Sequence, residues 1–197
     1  MQGIDNDAVV EQMDRLAEAH QAYMDCYADR LVARGPTLSA DGENHTGSVH
    51  VLEADSAEEA QRFAFEEPYW LAGLYASVRI ARFQNALAGT MWDRPRPPRG
   101  STSSLVLVTW QPQRSALAAD SDAELLRRLA ETEPLVFGGL LLSDDAGSSV
   151  GLAAALDADA ERAPTVVARV GLPEPTTSIT ADRWQRGGRD QGSTSLA

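Results

Sequence analysis

The run RGPTLSADGENHTGSVHVLEADSAEEAQRFAFEEPYW, residues 34–70, sets a turn, a strand, a helix start and a Glu-Pro-Tyr step in one compact order. Gly35-Pro36 ends the helical pattern before it, because Pro36 lacks an amide hydrogen and its ring steers Gly35 away from helical angles. Residues 39–47, rich in Asp, Gly, Asn and Ser, have the composition of a surface hairpin loop. Residues 47–54, GSVHVLEA, alternate, with Val49 and Val51 on one face and Ser48, His50, Leu52 and Ala54 on the other, which is the period of a strand. Asp55 or Ser56 then caps a helix, with Glu58 or Glu59 placed to reach back, and that helix is expected to stop at Pro68.

Working outward, residues upstream place Val9, Val10, Met13, Leu16, Ala17, Tyr23, Met24 and Tyr27 at spacings of three and four, an amphipathic helix that Asn6 or Asp7 can cap. Leu31, Val32 and Ala33 turn the chain into a short strand leading to Gly35. Downstream, residues 76–83, ASVRIARF, alternate as a further strand. Proline and arginine then crowd residues 85–104, which read as a semi-rigid extended spacer rather than a folded element. Beyond it LVLVTW, residues 105–110, is the most hydrophobic strand of the chain, and a helix is expected over 121–130. The organisation expected is a first unit over 1–88, a linker over 89–104, a second unit over 105–187 and a disordered tail over 188–197.

Composition bounds the partners. The chain has 197 residues, 43% of them hydrophobic, enough for a real core in one domain or two small ones. A net charge of −12 repels a phosphate backbone, and the basic cluster Arg94, Arg96 and Arg99 lies among prolines, so nucleic acid is not an expected partner. A single cysteine, Cys26, excludes an intramolecular disulfide and is read as a small, buried or half-buried apolar residue. The acidic start MQGIDNDAVVEQMD lacks the apolar core of a signal peptide, and no apolar run approaches the ~20 residues of a membrane span. A cytoplasmic protein with no membrane partner is expected.

A shift of 104 positions places Leu31-Val32 on Leu135-Val136, Gly35 on Gly139, Leu38 on Leu142, Gly47 on Gly151 and Leu52 on Leu156. Farther on, a shift of 101 places Arg82-Phe83-Gln84 on Arg183-Trp184-Gln185. A uniform offset over about 25 positions that keeps the order of elements is the mark of duplication. The halves differ at their starts, since only residues 2–5 precede the first helix: either the first unit lacks its first strand, or its start lies upstream of Met1. They also differ at two chemical positions, with Glu124 standing where the first half has His20 and Gly171 where it has Glu67.

The segments AHQAYM, ARGPTLSADG and TGSVHVLEADSAEEAQRFAFEEPYWLAGLYASVRIARF resemble the YCII-related (YciI-like) family over residues 13–84, with the second half a diverged copy. The resemblance implies an α+β fold, a ferredoxin-like unit of the dimeric α+β barrel group, and two such units in one chain then pack as an internal pseudo-dimer. It also implies a His and an Asp as acid/base pair, and some members are cofactor-free enzymes acting on hydroxylated aromatic rings, including by eliminating chloride. By position the His is His20 and the Asp of the family's Asp-Pro-Tyr is Glu67, which keeps a carboxylate one methylene longer.

A neutral imidazole beside a carboxylate is a workable proton-transfer unit, because the carboxylate fixes the tautomer. His20 and Glu67 are therefore the catalytic candidates, against the plainer readings of a half-buried helix residue and a cap before Pro68. Tyr23, one turn after His20, Asp41 in the hairpin loop, Ser48 at the strand start and Tyr69 of Glu-Pro-Tyr are the candidate substrate contacts. Each has a structural alternative, a core aromatic for Tyr23 and a turn residue for Asp41. Ser48 lacks the motif of a nucleophile, and His45 and His50 do not have a recurrent metal spacing, so neither metal nor cofactor is expected. The function expected is a cofactor-free isomerase, dehydratase or elimination lyase acting on a small hydroxylated aromatic or polyketide-like molecule. The alternative is a non-catalytic small-molecule-binding or scaffold protein, and a homodimer is left open.

Overall fold

The computed structural model describes residues 1–5, 10–98, 100–112, 118–145 and 147–188. The expected caps Asn6 and Asp7, Arg99, and the tail beyond Gly188 lie outside them.

In the first half the order is β1 (Gln2–Asp5), α1 (Val10–Asp25), β2 (Leu31–Leu38), β3 (His45–Leu52), α2 (Ala57–Phe65), α3 (Pro68–Leu71), β4 (Tyr75–Arg79) and β5 (Arg82–Asn85). The second half runs β6 (Ser103–Trp110), α4 (Ala118–Ala130), β7 (Leu135–Leu142), β8 (Ser149–Leu156), α5 (Ala163–Ala168) and β9 (Thr176–Trp184). The architecture is mixed α+β around one large antiparallel sheet, ordered β4-β1-β3-β2-β9-β6-β8-β7-β5. Each half contributes the same local order, fourth strand, first, third, second.

Several expectations change. The first strand is present: Gln2–Asp5, too short to show alternation, is completed from both sides by Gly3↔Ser48 and Gly3↔Val78. Pro68 begins a helix instead of ending one, because its missing amide costs nothing in a first turn. The strand expected over 76–83 is two, β4 at one edge of the sheet order and β5 at the other. Residues 86–98 are more than a spacer, since a 3-10 turn at Met91–Asp93 sinks Met91 to 0% exposure. Arg186 pins that segment, donating to the carbonyls of Met91, Arg94 and Pro95 and to Asp157 Oδ2. Cys26 is exposed, with its Sγ donating to Ala22 O.

The halves join at two equivalent seams. Thr37 and Leu38 of β2 pair with Trp184 and Arg183 of β9, while Leu141 and Leu142 of β7 pair with Phe83 and Arg82 of β5. Beyond the strands the match continues, with Gly187 N–H donating to Arg34 O and Ala86 N–H to Gly138 O. Between the seams Ala33, Val49, Met91, Leu105, Val136, Phe137, Ala155 and Trp184 form a core drawn from both halves. The opposite face of each half's strands packs on its own helices, with Met24, Leu31 and Phe63 in the first half and Leu125, Leu129, Leu152 and Val167 in the second. No helix among the described residues is long and apolar enough to cross a membrane.

Candidate active site

The alternation of β2 and β3 divides their side chains between two environments. Ala33, Val49 and Val51 go to the core between the halves. Arg34, Pro36, Ser48 and His50 go to the other face, under α1, and the register sets Arg34 opposite His50 and Pro36 opposite Ser48. Helix α1 presents His20 and Gln21 over this face, and α3 brings Tyr69. A cavity of about 200 Å³ lies among them, lined by His20, Gln21, Arg34, Gly35, Pro36, His45, Ser48, His50, Tyr69, Gly187 and Gly188. The last two come from the far end of the chain, so both halves build the wall.

Glu67 is the N-cap of α3. Its backbone is extended, Pro68 follows as the first helical residue, and its Oε2 accepts the Trp70 amide at 3.0 Å. That leaves Oε1 for His20 Nδ1, at 2.5 Å. The carboxylate is 0% exposed, and a buried carboxylate needs such partners to offset lost hydration. Since a carboxylate only accepts, Nδ1 carries the hydrogen and Nε2 is the nitrogen left for a ligand. The ring is held from its face as well, stacked on Tyr69 at 4.3 Å between centroids and 3° between planes.

His50 closes the opposite wall, edge-on to His20 at 6.1 Å. Burial, reinforced by the neighbouring His20, holds its titration well below the ordinary imidazole range, so it is neutral. Its Nδ1 is buried and meets no hydrogen-bonding partner among the described residues. Ser48 Oγ accepts from Tyr75 Oη at 3.1 Å and lies 3.4 Å from His45 Nε2. Among the described residues no group of three or more His, Cys, Asp or Glu is placed to hold a metal ion.

Of the six residues singled out from sequence, His20, Ser48 and Tyr69 line the cavity and Glu67 supports it through His20. Tyr23 and Asp41 lie elsewhere. Tyr23 Oη donates to the carbonyls of Arg62 and Phe63, and burial pushes its titration far up. Asp41 is an exposed hairpin residue that accepts from Ser39 Oγ and the Glu43 amide, which hold its carboxyl below the usual range. The alternation of β3, which puts Ser48 and His50 on one face, already marked His50 as a companion of Ser48. Nothing in the sequence pointed to Arg34, Gln21, Gly187 or Gly188.

The fold is mixed α+β around one large antiparallel sheet, and it is similar to that of dimeric α+β barrel proteins. A monooxygenase-like protein from Lactobacillus acidophilus NCFM superposes over 94% of this chain and 91% of its own with a TM-score of 0.55 at 9% identity. An anthrone oxidase-like protein does so over 94% and 89% with a TM-score of 0.50 at 14% identity. Both likenesses concern the fold. The 5-chloro-2-hydroxyhydroquinone dehydrochlorinase from Burkholderia phenoliruptrix AC1100, solved with 2,5-dihydroxybenzoquinone, matches 42% of this chain and 89% of its own at 29% identity, with a TM-score of 0.40. No curated protein matches the chain. Residues 2–84 match the model of the YCII-related domain.

Proposed function

We propose that the cavity is a cofactor-free acid/base site in which His20 moves a proton and Glu67 orients it. The observation that carries the reading is the 2.5 Å contact between His20 Nδ1 and a fully buried Glu67 carboxylate fixed by the Trp70 amide. With Nδ1 committed, Nε2 takes a proton from a ring hydroxyl or an acidic carbon, and Glu67 stabilises the imidazolium formed. Returning that proton at another position completes an isomerisation. Delivering it to a departing hydroxyl completes a dehydration, and a departing halide leaves as the anion. None of these steps needs an oxidant.

The cavity volume supports a small substrate, since a cavity of ~150 Å³ takes up a benzene ring and this one is about 200 Å³. Tyr69 beside the imidazole suits a flat ring. A hydroxylated aromatic or polyketide-like molecule fits these features and what the family resemblance implies. We read the second half as a degenerate copy that keeps the frame without the site. Leu152 and Ala154 stand at the positions of Ser48 and His50, Gly138 at that of Arg34, and Glu124 is taken up by Arg127 and Arg128 on the surface.

The test is incubation of the full chain with a panel of hydroxylated aromatics and polyketide-like phenols in deuterated water, read by mass spectrometry. Conversion or deuterium uptake that disappears in His20→Gln is the expected result. Undiminished turnover in that variant overturns the proposal, and binding without conversion or exchange transfers the site to the non-catalytic reading.

A further inference from the structure

The cavity has a basic wall in an acidic protein. Arg34 and three imidazoles line it and, among the described residues, no Asp or Glu does, although the chain carries a net charge of −12. The carboxylate that supports the site, Glu67, has both oxygens engaged, by His20 and by the Trp70 amide. Arg34 and His50 are cross-strand partners, 7% and 3% exposed. A planar fork of donors is the group best matched to a carboxylate. Arg34 is steered by Gln21, whose Oε1 accepts from Nη2 at 3.1 Å. The buried Nδ1 of His50 has no hydrogen-bonding partner among the described residues, and a buried polar atom in that state calls for one from solvent or a ligand. In the second half Gly138 and Ala154 replace the pair, at the same register.

We propose that Arg34 and His50 form an anion-recognition subsite, and that the ligand is a single-ring aromatic acid whose carboxylate lies against them while its ring reaches His20. This deepens the reading of the cavity as a substrate site and rests on it. The 6.1 Å between the His20 and His50 rings puts recognition and chemistry within the span of one small ring. The neutral, buried His50 donates a hydrogen bond and Arg34 supplies the charge.

The experiment is isothermal titration of the full chain with 2,4-dihydroxybenzoate and with resorcinol, the same ring without the carboxylate. The wild type is expected to bind the acid at least ~10-fold more tightly, as a charge-assisted pair allows. Arg34→Met is expected to lose that preference while still binding resorcinol, and His50→Leu to reduce it. Circular dichroism establishes that each variant is folded, and Arg34→Lys, which keeps the charge and loses the fork, replaces Arg34→Met if that one is not. No binding of the acid, equal affinity for the two rings, or a full preference in both folded variants overturns the subsite. His20→Asn separates the two readings. A retained preference with turnover lost supports both, whereas a retained preference with turnover intact removes the acid/base role and leaves the subsite standing.

Discussion

The Tyr69 ring lies flat against the His20 imidazole, 4.3 Å away, and Glu67, two residues earlier on the same short helix, holds the Nδ1 of that imidazole. One turn of chain therefore fixes His20 both in plane and face-on. Tyr69→Phe preserves the stack and is expected to leave activity within about 3-fold and stability within ~1 kcal/mol. Tyr69→Ala removes the platform and opens a hole in the cluster of Met13, Leu74 and Tyr75, costing ~3 kcal/mol. Urea denaturation and turnover of the two variants, compared side by side, check this.

Glu67→Gln keeps the shape of the contact and changes its electrostatics. An amide can present either its oxygen or its NH2 group to Nδ1, so the tautomer is no longer dictated, and no anion remains to stabilise an imidazolium. A fall in kcat of ~10²–10⁴-fold is expected, with ligand affinity changed far less. Since Oε2 also caps α3, Glu67→Ala should lose a further ~1 kcal/mol of stability beyond its effect on turnover. Stopped assays on a substrate found in the panel, with a melting curve for each variant, measure both quantities.

His50 gives stability a pH dependence of known sign. Its folded-state titration lies well below the ordinary value of 6.5 because burial disfavours the charged ring. Above about pH 6.5 neither the folded nor the unfolded chain holds a proton there, and the contribution of this site is fully present. As pH falls through 6.5 the unfolded chain takes up a proton that the folded chain refuses, so stability falls with a slope approaching ~1.4 kcal/mol per pH unit. Urea titrations at pH 7.5, 6 and 5 should show a flatter dependence in His50→Leu than in the wild type. Identical slopes would assign the acid sensitivity to other groups.

Legibility followed the range of the interactions. The strands at β2 and β3, the helix α1 and the pairing of His20 with Glu67 follow from alternation, helical spacing and an ordered family motif, all written in contiguous sequence. Residues 2–5 did not read as a strand, because four residues carry too little pattern and their pairing comes from Ser48 and Val78 far along the chain. Arg34 and His50 become a site only once the register sets them opposite each other. Gly187 and Gly188 reach the cavity across the seam between the halves, a relationship no local rule contains. The offsets of 104 and 101 positions reappear as the equivalent pairings at the two seams, Arg183 with Leu38 and Arg82 with Leu142.

Met91 tests whether the proline-rich segment is structural. Its side chain is fully buried in the core shared by the two halves, and its sulfur accepts the Arg34 amide at 3.4 Å. Met91→Ala is expected to cost ~2–5 kcal/mol in urea denaturation. A loss below ~0.5 kcal/mol would return the segment to the role of a spacer.

Gly35 and Gly139 occupy the same place in the two halves, and each presses against backbone from the other half. A Cβ on Gly35 would fall inside the van der Waals surface of Gln185 O, and one on Gly139 would do the same to Gln84 O. Both Gly35→Ala and Gly139→Ala should therefore push a seam apart and cost ~1–3 kcal/mol. The two are not equivalent for function, because Gly35 lies on the cavity wall with Gly187, whose amide donates to Arg34 O, whereas the neighbours of Gly139, Leu140 and Leu152, are packed as apolar core. Gly35→Ala should weaken binding of 2,4-dihydroxybenzoate several-fold at a temperature where both variants are fully folded, and Gly139→Ala should leave it unchanged. Equal binding by the two would show that the seam serves stability alone and that the second half does not shape the site of the first.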